Sequence, residues 1–153
     1  MSQALVFMMG DFAAEIPTDR RYARNHMWAV SIGENTVRFG LSAYAVRLLQ
    51  DVYFIEFSVE SGTSIASRQE IGAIESKKAE SGIYAPTQAR LNQINTEILA
   101  DPSAINVDKY GDGWLFDLDQ VAETLLTAEE YVAHLENAWE VAQRTIKGQA
   151  NAE

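Results

Sequence analysis

Between Trp28 and Leu118 the apolar residues come in short runs, each closed within a few positions by Gly, Pro, Asn or Asp. This punctuation confines the stretch to strands, turns and brief helices. "WAVSIGENTVRFG" (28–40) reads as two strands joined by a turn at Gly33-Glu34-Asn35. Ser42 then stands where a helix cap is needed, ahead of Ala45, Val46, Leu48 and Leu49. "DVYFIEF" alternates, which puts Tyr53, Ile55 and Phe57 on one side of a half-buried strand and Glu56 on the other. Further strands are expected in "ARLNQIN" and "GWLFDL", with a turn and a helical fragment after Pro102 between them. Ala4 to Met9 is one apolar stretch without a basic leader or a small-residue cleavage pattern, and Asp11 soon follows. It reads as a strand or packing segment, not as a signal peptide.

The last third changes period. Thr127 with Glu130 three residues on is a capping-box pattern, and Val132, Leu135, Trp139, Ala142 and Ile146 recur at helical spacing. Gly148 is the expected stop, with 149–153 a disordered tail. An apolar stripe of this kind is expected to pack on the strands; the other use for it is as a docking helix for a partner. Short strands followed by one terminal helix make an α+β protein dominated by β structure. The expected layout is an N-terminal extension over 1–15, a β domain over 16–126 and a packed helix over 127–148.

Charge and composition exclude several function classes. A net charge of −10 disfavours nucleic-acid backbones and anionic membrane surfaces and favours basic patches on partner proteins. No run approaches the ~18 apolar residues of a membrane span. With no cysteine, the chain has no thiol, disulfide or thiolate metal site, a usage that fits a reducing cytoplasm. Its two histidines, His26 and His134, have no partner at ligand spacing. "DKYGDGWLFDLD" echoes a calcium loop through Asp108, Asp112 and Gly113, but Tyr110 and Asp119 stand where the loop needs an oxygen ligand and a bidentate Glu. Hydrolase, phosphate-loop and dinucleotide motifs are absent, and a stand-alone enzyme is not expected.

One segment stands out against this acidic background. In "EIGAIESKKAESGIYAP" (70–86) two apolar runs flank Lys77 and Lys78, so the lysines belong at the tip of a turn. An exposed turn lysine is ordinary; a lysine so displayed is also a place to attach something.

The same segment resembles the lipoyl-attachment hairpin of the glycine cleavage system H-protein family, G-x-V-E-S-x-K-A followed by Ser and a Ser/Ala-Pro turn. Three other blocks agree in order: "RRYARNHMWAVSI" through Tyr22, His26 and Trp28, then "FGLSAYAVRLLQDVYFIEF", then "DPSAINVDKYGDGWLF". The resemblance covers about residues 16–135. It implies a lipoyl-domain β-sandwich (a barrel-sandwich hybrid) with short helices, monomeric and non-catalytic. Lipoate would be in amide linkage to Lys78, and Glu75, Ser76, Lys77 and Ala79 would shape the turn for a lipoate-protein ligase.

The resemblance also exposes departures. Where the family places acids around the arm, this chain has Met27 and Gly82, beside Asn25 and His26. Neither a thioether nor a hydrogen atom can pair with an ammonium group. Gln50, Arg68 and Ala89 stand at turn positions where the family has Gly. The cleft change favours a carrier of sulfur intermediates, working with a heterodisulfide-reductase-like complex in sulfur oxidation. The alternative is a glycine cleavage H protein carrying an aminomethyl group among glycine decarboxylase, aminomethyltransferase and dihydrolipoyl dehydrogenase. A third reading is an unlipoylated scaffold.

Overall fold

The computed structural model describes the backbone of residues 3–152 and the side chains of residues 3–143. The chain opens with an antiparallel hairpin, β1 (Ala4–Met9) and β2 (Phe12–Pro17), turning at Gly10 with φ +64°. Six strands then make one antiparallel sheet in the order β3 (Arg21–Tyr22), β4 (Met27–Ser31), β5 (Thr36–Leu41), β11 (Phe116–Asp119), β10 (Ala89–Ile94) and β7 (Ser64–Ile65). A second antiparallel sheet has the order β6 (Val52–Phe57), β8 (Glu70–Ser76), β9 (Glu80–Tyr84). Three short helices join the strands: α1 (Ala43–Leu49), α2 (Thr96–Ala100) and α3 (Ser103–Val107). The long α4 (Ala128–Ala152) closes the chain. This is the mostly β fold that the punctuated apolar runs predict.

Two apolar cores lie on opposite faces of β4. Met27 and Ala29 point into the core between the two larger sheets, with Phe39, Ile55, Ile71, Ile83, Leu91, Phe116 and Leu118. Trp28 points the other way, into a core built with Phe7, Ile16, Tyr22, Tyr131 and Leu135. Strand alternation sends successive side chains to opposite faces, so a strand buried on both sides shows a continuous apolar run. The second core explains the β1–β2 hairpin, which supplies Phe7, Met9, Ala14 and Ile16 to it. Gly40 makes the Trp28 position possible: a Cβ there would lie 2.5 Å from the indole ring.

Local signals in the sequence appear as expected at most element ends. The Ser42 side chain accepts from the Ala45 amide at the start of α1. At the start of α4, Thr127 N–H donates to Glu130 Oε1 at 2.9 Å and Glu130 N–H donates to Thr127 Oγ1 at 3.1 Å, a complete capping box.

Two expectations need correction, and one helix was not foreseen. Tyr53 does not share a side with Ile55: the pairing of β6 with β8 shifts between Val52 and Phe54, leaving Tyr53 62% and Phe54 43% exposed. An extra residue in one strand breaks the two-residue period. Helix α4 runs through Gly148 to Ala152, so 149–152 are helical; Glu153 and the Ile146 side chain lie outside the described residues. A glycine within a helix costs only about 1 kcal/mol relative to alanine and stops it only where the chain turns left-handed. Finally, α2 follows "ARLNQIN" directly, capped by Asn95, whose side chain accepts from the Glu97 amide.

Candidate functional site

The β8–β9 pairing ends at Glu75 opposite Glu80, and the chain reverses over four residues, Ser76 to Ala79. Ser76 is buried and closes the turn twice: its N–H and its hydroxyl donate to the Ala79 carbonyl at 2.9 and 3.0 Å. The Ala79 N–H in turn donates to Ser76 Oγ at 3.2 Å. Lys77 and Lys78 are the central residues, both exposed. Neither side chain makes a hydrogen bond or ion pair among the described residues, so both ammonium groups face solvent.

Beside this turn lies a cleft of about 450 Å³. Its walls include Ala79 and the strand β9 that follows it, Leu48 and Leu49 on α1, and Asn25 and His26 with Met27 at the start of β4. All four cleft residues expected from the sequence, Asn25, His26, Met27 and Gly82, are brought together there. Met27 is almost wholly buried and offers the cleft an apolar floor. At Gly82 a Cβ would lie 2.8 Å from the Tyr84 hydroxyl, so the Tyr84 ring occupies the room that a side chain would need. Asn25 Nδ2 donates to the Tyr84 carbonyl at 3.0 Å and ties the β3–β4 loop to β9.

His26 has φ +73° and is held from several sides. Its N–H donates to the Ala23 carbonyl at 3.1 Å, and its own carbonyl accepts from Ser42 N–H at 3.0 Å. Its ring lies 4.7 Å from Tyr44 and 5.7 Å from His134. Burial, and then the neighbouring His134, push its pKa down to about 4, so the imidazole is neutral near pH 7. His134 Nε2–H donates to the Arg24 carbonyl at 3.0 Å. The two histidines are thus neighbours, but no group of three metal-ligating side chains forms among the described residues. The calcium-like loop closes on itself: Asp108 Oδ2 accepts from the Asp112 amide, while Asp119 bonds Thr36, Asn92 and Arg90.

Sequence reasoning missed Tyr84 and Glu80 in the cleft wall. Glu80, Gly82 and Tyr84 share one face of β9 by alternation, a period that was readable in "ESGIY". It also missed Leu48 and Leu49 as lining, because helical spacing alone does not say which neighbour they meet.

Fold and site together define a small β domain that displays one lysine pair on a hairpin tip beside a mainly apolar cleft. Residues 20–138 match the family described as Glycine cleavage H-protein. This chain belongs to that family. The glycine cleavage system H protein of Mycolicibacterium smegmatis is 38% identical over 127 residues, covering 78% of this chain and 96% of that protein. That of Mycobacterium tuberculosis is 35% identical over 128 residues, covering 77% and 95%. The crystal structure of a glycine cleavage system H protein from Mycobacterium marinum matches with a TM-score of 0.70 at 32% identity, covering 79% of this chain and 99% of that one. These relatives favour the glycine cleavage reading over sulfur oxidation, which none of them supports. Among the described residues no helix is long and apolar enough to cross a membrane.

Proposed function

We propose that this protein is the carrier component of a glycine cleavage system, a non-catalytic shuttle with lipoate attached to Lys78. The observation that carries the proposal is Lys78, unpaired among the described residues, at the apex of a closed turn next to a cleft large enough to shelter an arm. Lipoate on Lys78 would supply a strained dithiolane, a disulfide that two-electron reduction opens to a dithiol, chemistry that a chain with no cysteine lacks.

The chain's own part is presentation and shelter. Ser76 and Ala79 hold the turn closed, and Glu75 and Glu80 flank it with negative charge. A tethered side chain raises the effective concentration of its cargo at each partner's site. Met27, Leu48 and Leu49 give the cleft an apolar lining, and neutral His26 adds no positive charge to it. Glu80 answers the objection raised by Met27 and Gly82. It lines the cleft and is the acidic residue there that can serve a cationic aminomethyl cargo, which needs a partner. The partners are then a lipoate-protein ligase, glycine decarboxylase, aminomethyltransferase and dihydrolipoyl dehydrogenase.

The test is charging. Lipoylated protein incubated with glycine decarboxylase and glycine should accept the aminomethyl group, and Lys78→Arg should not. Lipoylated protein that the decarboxylase cannot charge overturns the proposal and returns the sulfur-carrier reading.

A further inference from the structure

Ser76 and Ala79 close the lysine turn, but its two central residues lack the backbone conformation that favours so short a loop. Two-residue hairpin loops are favoured when a central residue adopts left-handed backbone, because that twist matches the strands. Neither Lys77 nor Lys78 has a positive φ; among the described residues the non-glycine ones that do are His26, Gln50, Arg68 and Gln120. Outside its own hairpin the turn meets the start of β6: Val52 pairs with Ser76, and next to that pair Lys77 N–H donates to the Asp51 carbonyl at 2.8 Å.

Asp51 lies in the short connection between α1 and β6, and that connection is itself under constraint. Gln50 ends α1 with φ 61° and ψ −140°, a conformation that residues with a side chain rarely adopt. Asn106, from α3, spans the connection with both ends of its amide. Nδ2 donates to the Gln50 carbonyl at 2.7 Å, and Oδ1 accepts from Val52 N–H at 2.9 Å. The two contacts straddle Asp51, whose carbonyl meets the lysine turn.

We infer that Asn106 is a positioning residue for Lys78. It fixes residues 50–52, the Asp51 carbonyl then fixes the Lys77 amide, and the turn presents Lys78 in one orientation to the enzyme that modifies it. The inference rests on the reading of Lys78 as the attachment residue. It adds a distant determinant, 28 positions along the chain, that touches neither lysine. Asn106→Asp keeps an acceptor for Val52 N–H but sets a carboxylate oxygen against the Gln50 carbonyl, and Asn106→Ala removes both contacts.

The test uses the full-length chain and two readouts. Amide hydrogen exchange at Lys77 reports the clamp directly, and modification by a lipoate-protein ligase with lipoate and MgATP reports its consequence. Asn106→Ala and Asn106→Asp should each speed Lys77 exchange about tenfold, the scale of one lost hydrogen bond. The same variants should lower the rate of Lys78 modification, while the Ile83 amide in the adjoining strand stays protected. Replacing Gln50 by Gly in the Asn106→Ala background should recover part of the modification rate, since glycine adopts this backbone freely. Unchanged Lys77 exchange and unchanged modification kinetics in a folded Asn106→Asp variant would overturn the inference. If the unaltered protein is not modified at Lys78, the proposed function fails instead, and Lys77 exchange still decides the clamp.

Discussion

The Tyr131 hydroxyl on α4 lies 3.0 Å from His26 Nδ1, and 2.8 Å from Ser42 Oγ at the start of α1. One buried phenol therefore joins the terminal helix, the approach to β4 and the helix whose far end lines the cleft. Its ring also stacks on Tyr22, with centroids 4.6 Å apart and planes 2° from parallel. Burial pushes the Tyr131 phenol well above its ordinary range, which keeps it a neutral donor and acceptor.

Tyr131→Phe removes both contacts while keeping the ring. It should lower stability by about 1–3 kcal/mol, since the histidine and serine groups it leaves have little access to water. Urea denaturation at pH 7.5 measures this. A loss below about 0.5 kcal/mol would mean that these contacts add nothing beyond ring packing.

The neutral His26 makes stability depend on pH. Its folded pKa of about 4 is depressed from an ordinary value near 6.5, so the unfolded chain takes up the proton first. Stability is full above about pH 6.5 and declines as the pH falls towards 4, by up to ~1.4 kcal/mol per pH unit from this group alone. Carboxyls held low by hydrogen bonds, such as Glu130, add their own loss at the acid end. Unfolding free energies at pH 7.5, 6 and 5 should fall less in His26→Gln than in the unaltered chain. Identical slopes would contradict the assignment.

Much of this was legible in the sequence because it is governed by local rules. The turn at Gly33 to Asn35, the Ser42 cap, the Thr127–Glu130 box and the lysine turn each depend on residues within a few positions of one another. What was not legible depends on distance or on register. The proximity of His26 and His134 needs α4 to cross the start of β4, and the Asn106 clamp joins α3 to the end of α1. Tyr53 was misread because a bulge leaves no trace in an alternating pattern. The second core was invisible because Trp28 and Met27 are simply adjacent apolar residues until two partners cover opposite faces.

Gly72 tests the sheet that carries the turn. It pairs with Phe57 of β6, and a Cβ there would collide with the Glu56 carbonyl and lie 3.2 Å from Phe57 Cα. Since these neighbours are backbone, relief requires the strands to part. Gly72→Ala should cost about 1–3 kcal/mol in urea denaturation, at the upper end if the strands resist separation. A neutral substitution would mean that the β6–β8 pairing is looser than described.

Lys77 separates turn geometry from attachment. Its backbone N–H, not its ammonium group, makes the contact to Asp51. Lys77→Val should therefore leave the fold intact and Lys78 still modifiable within about threefold, a change of well under 1 kcal/mol. Loss of modification in this variant would assign the second lysine a role in recognition by the ligase.

The central claim is attachment at Lys78, and the most direct measurement is the intact mass of the protein from its native host, mapped by peptide fragmentation. The account predicts one lipoyl group per chain, on Lys78 and not on Lys77. An unmodified Lys78 in cells that lipoylate their other carriers would contradict it and leave the fold as a scaffold.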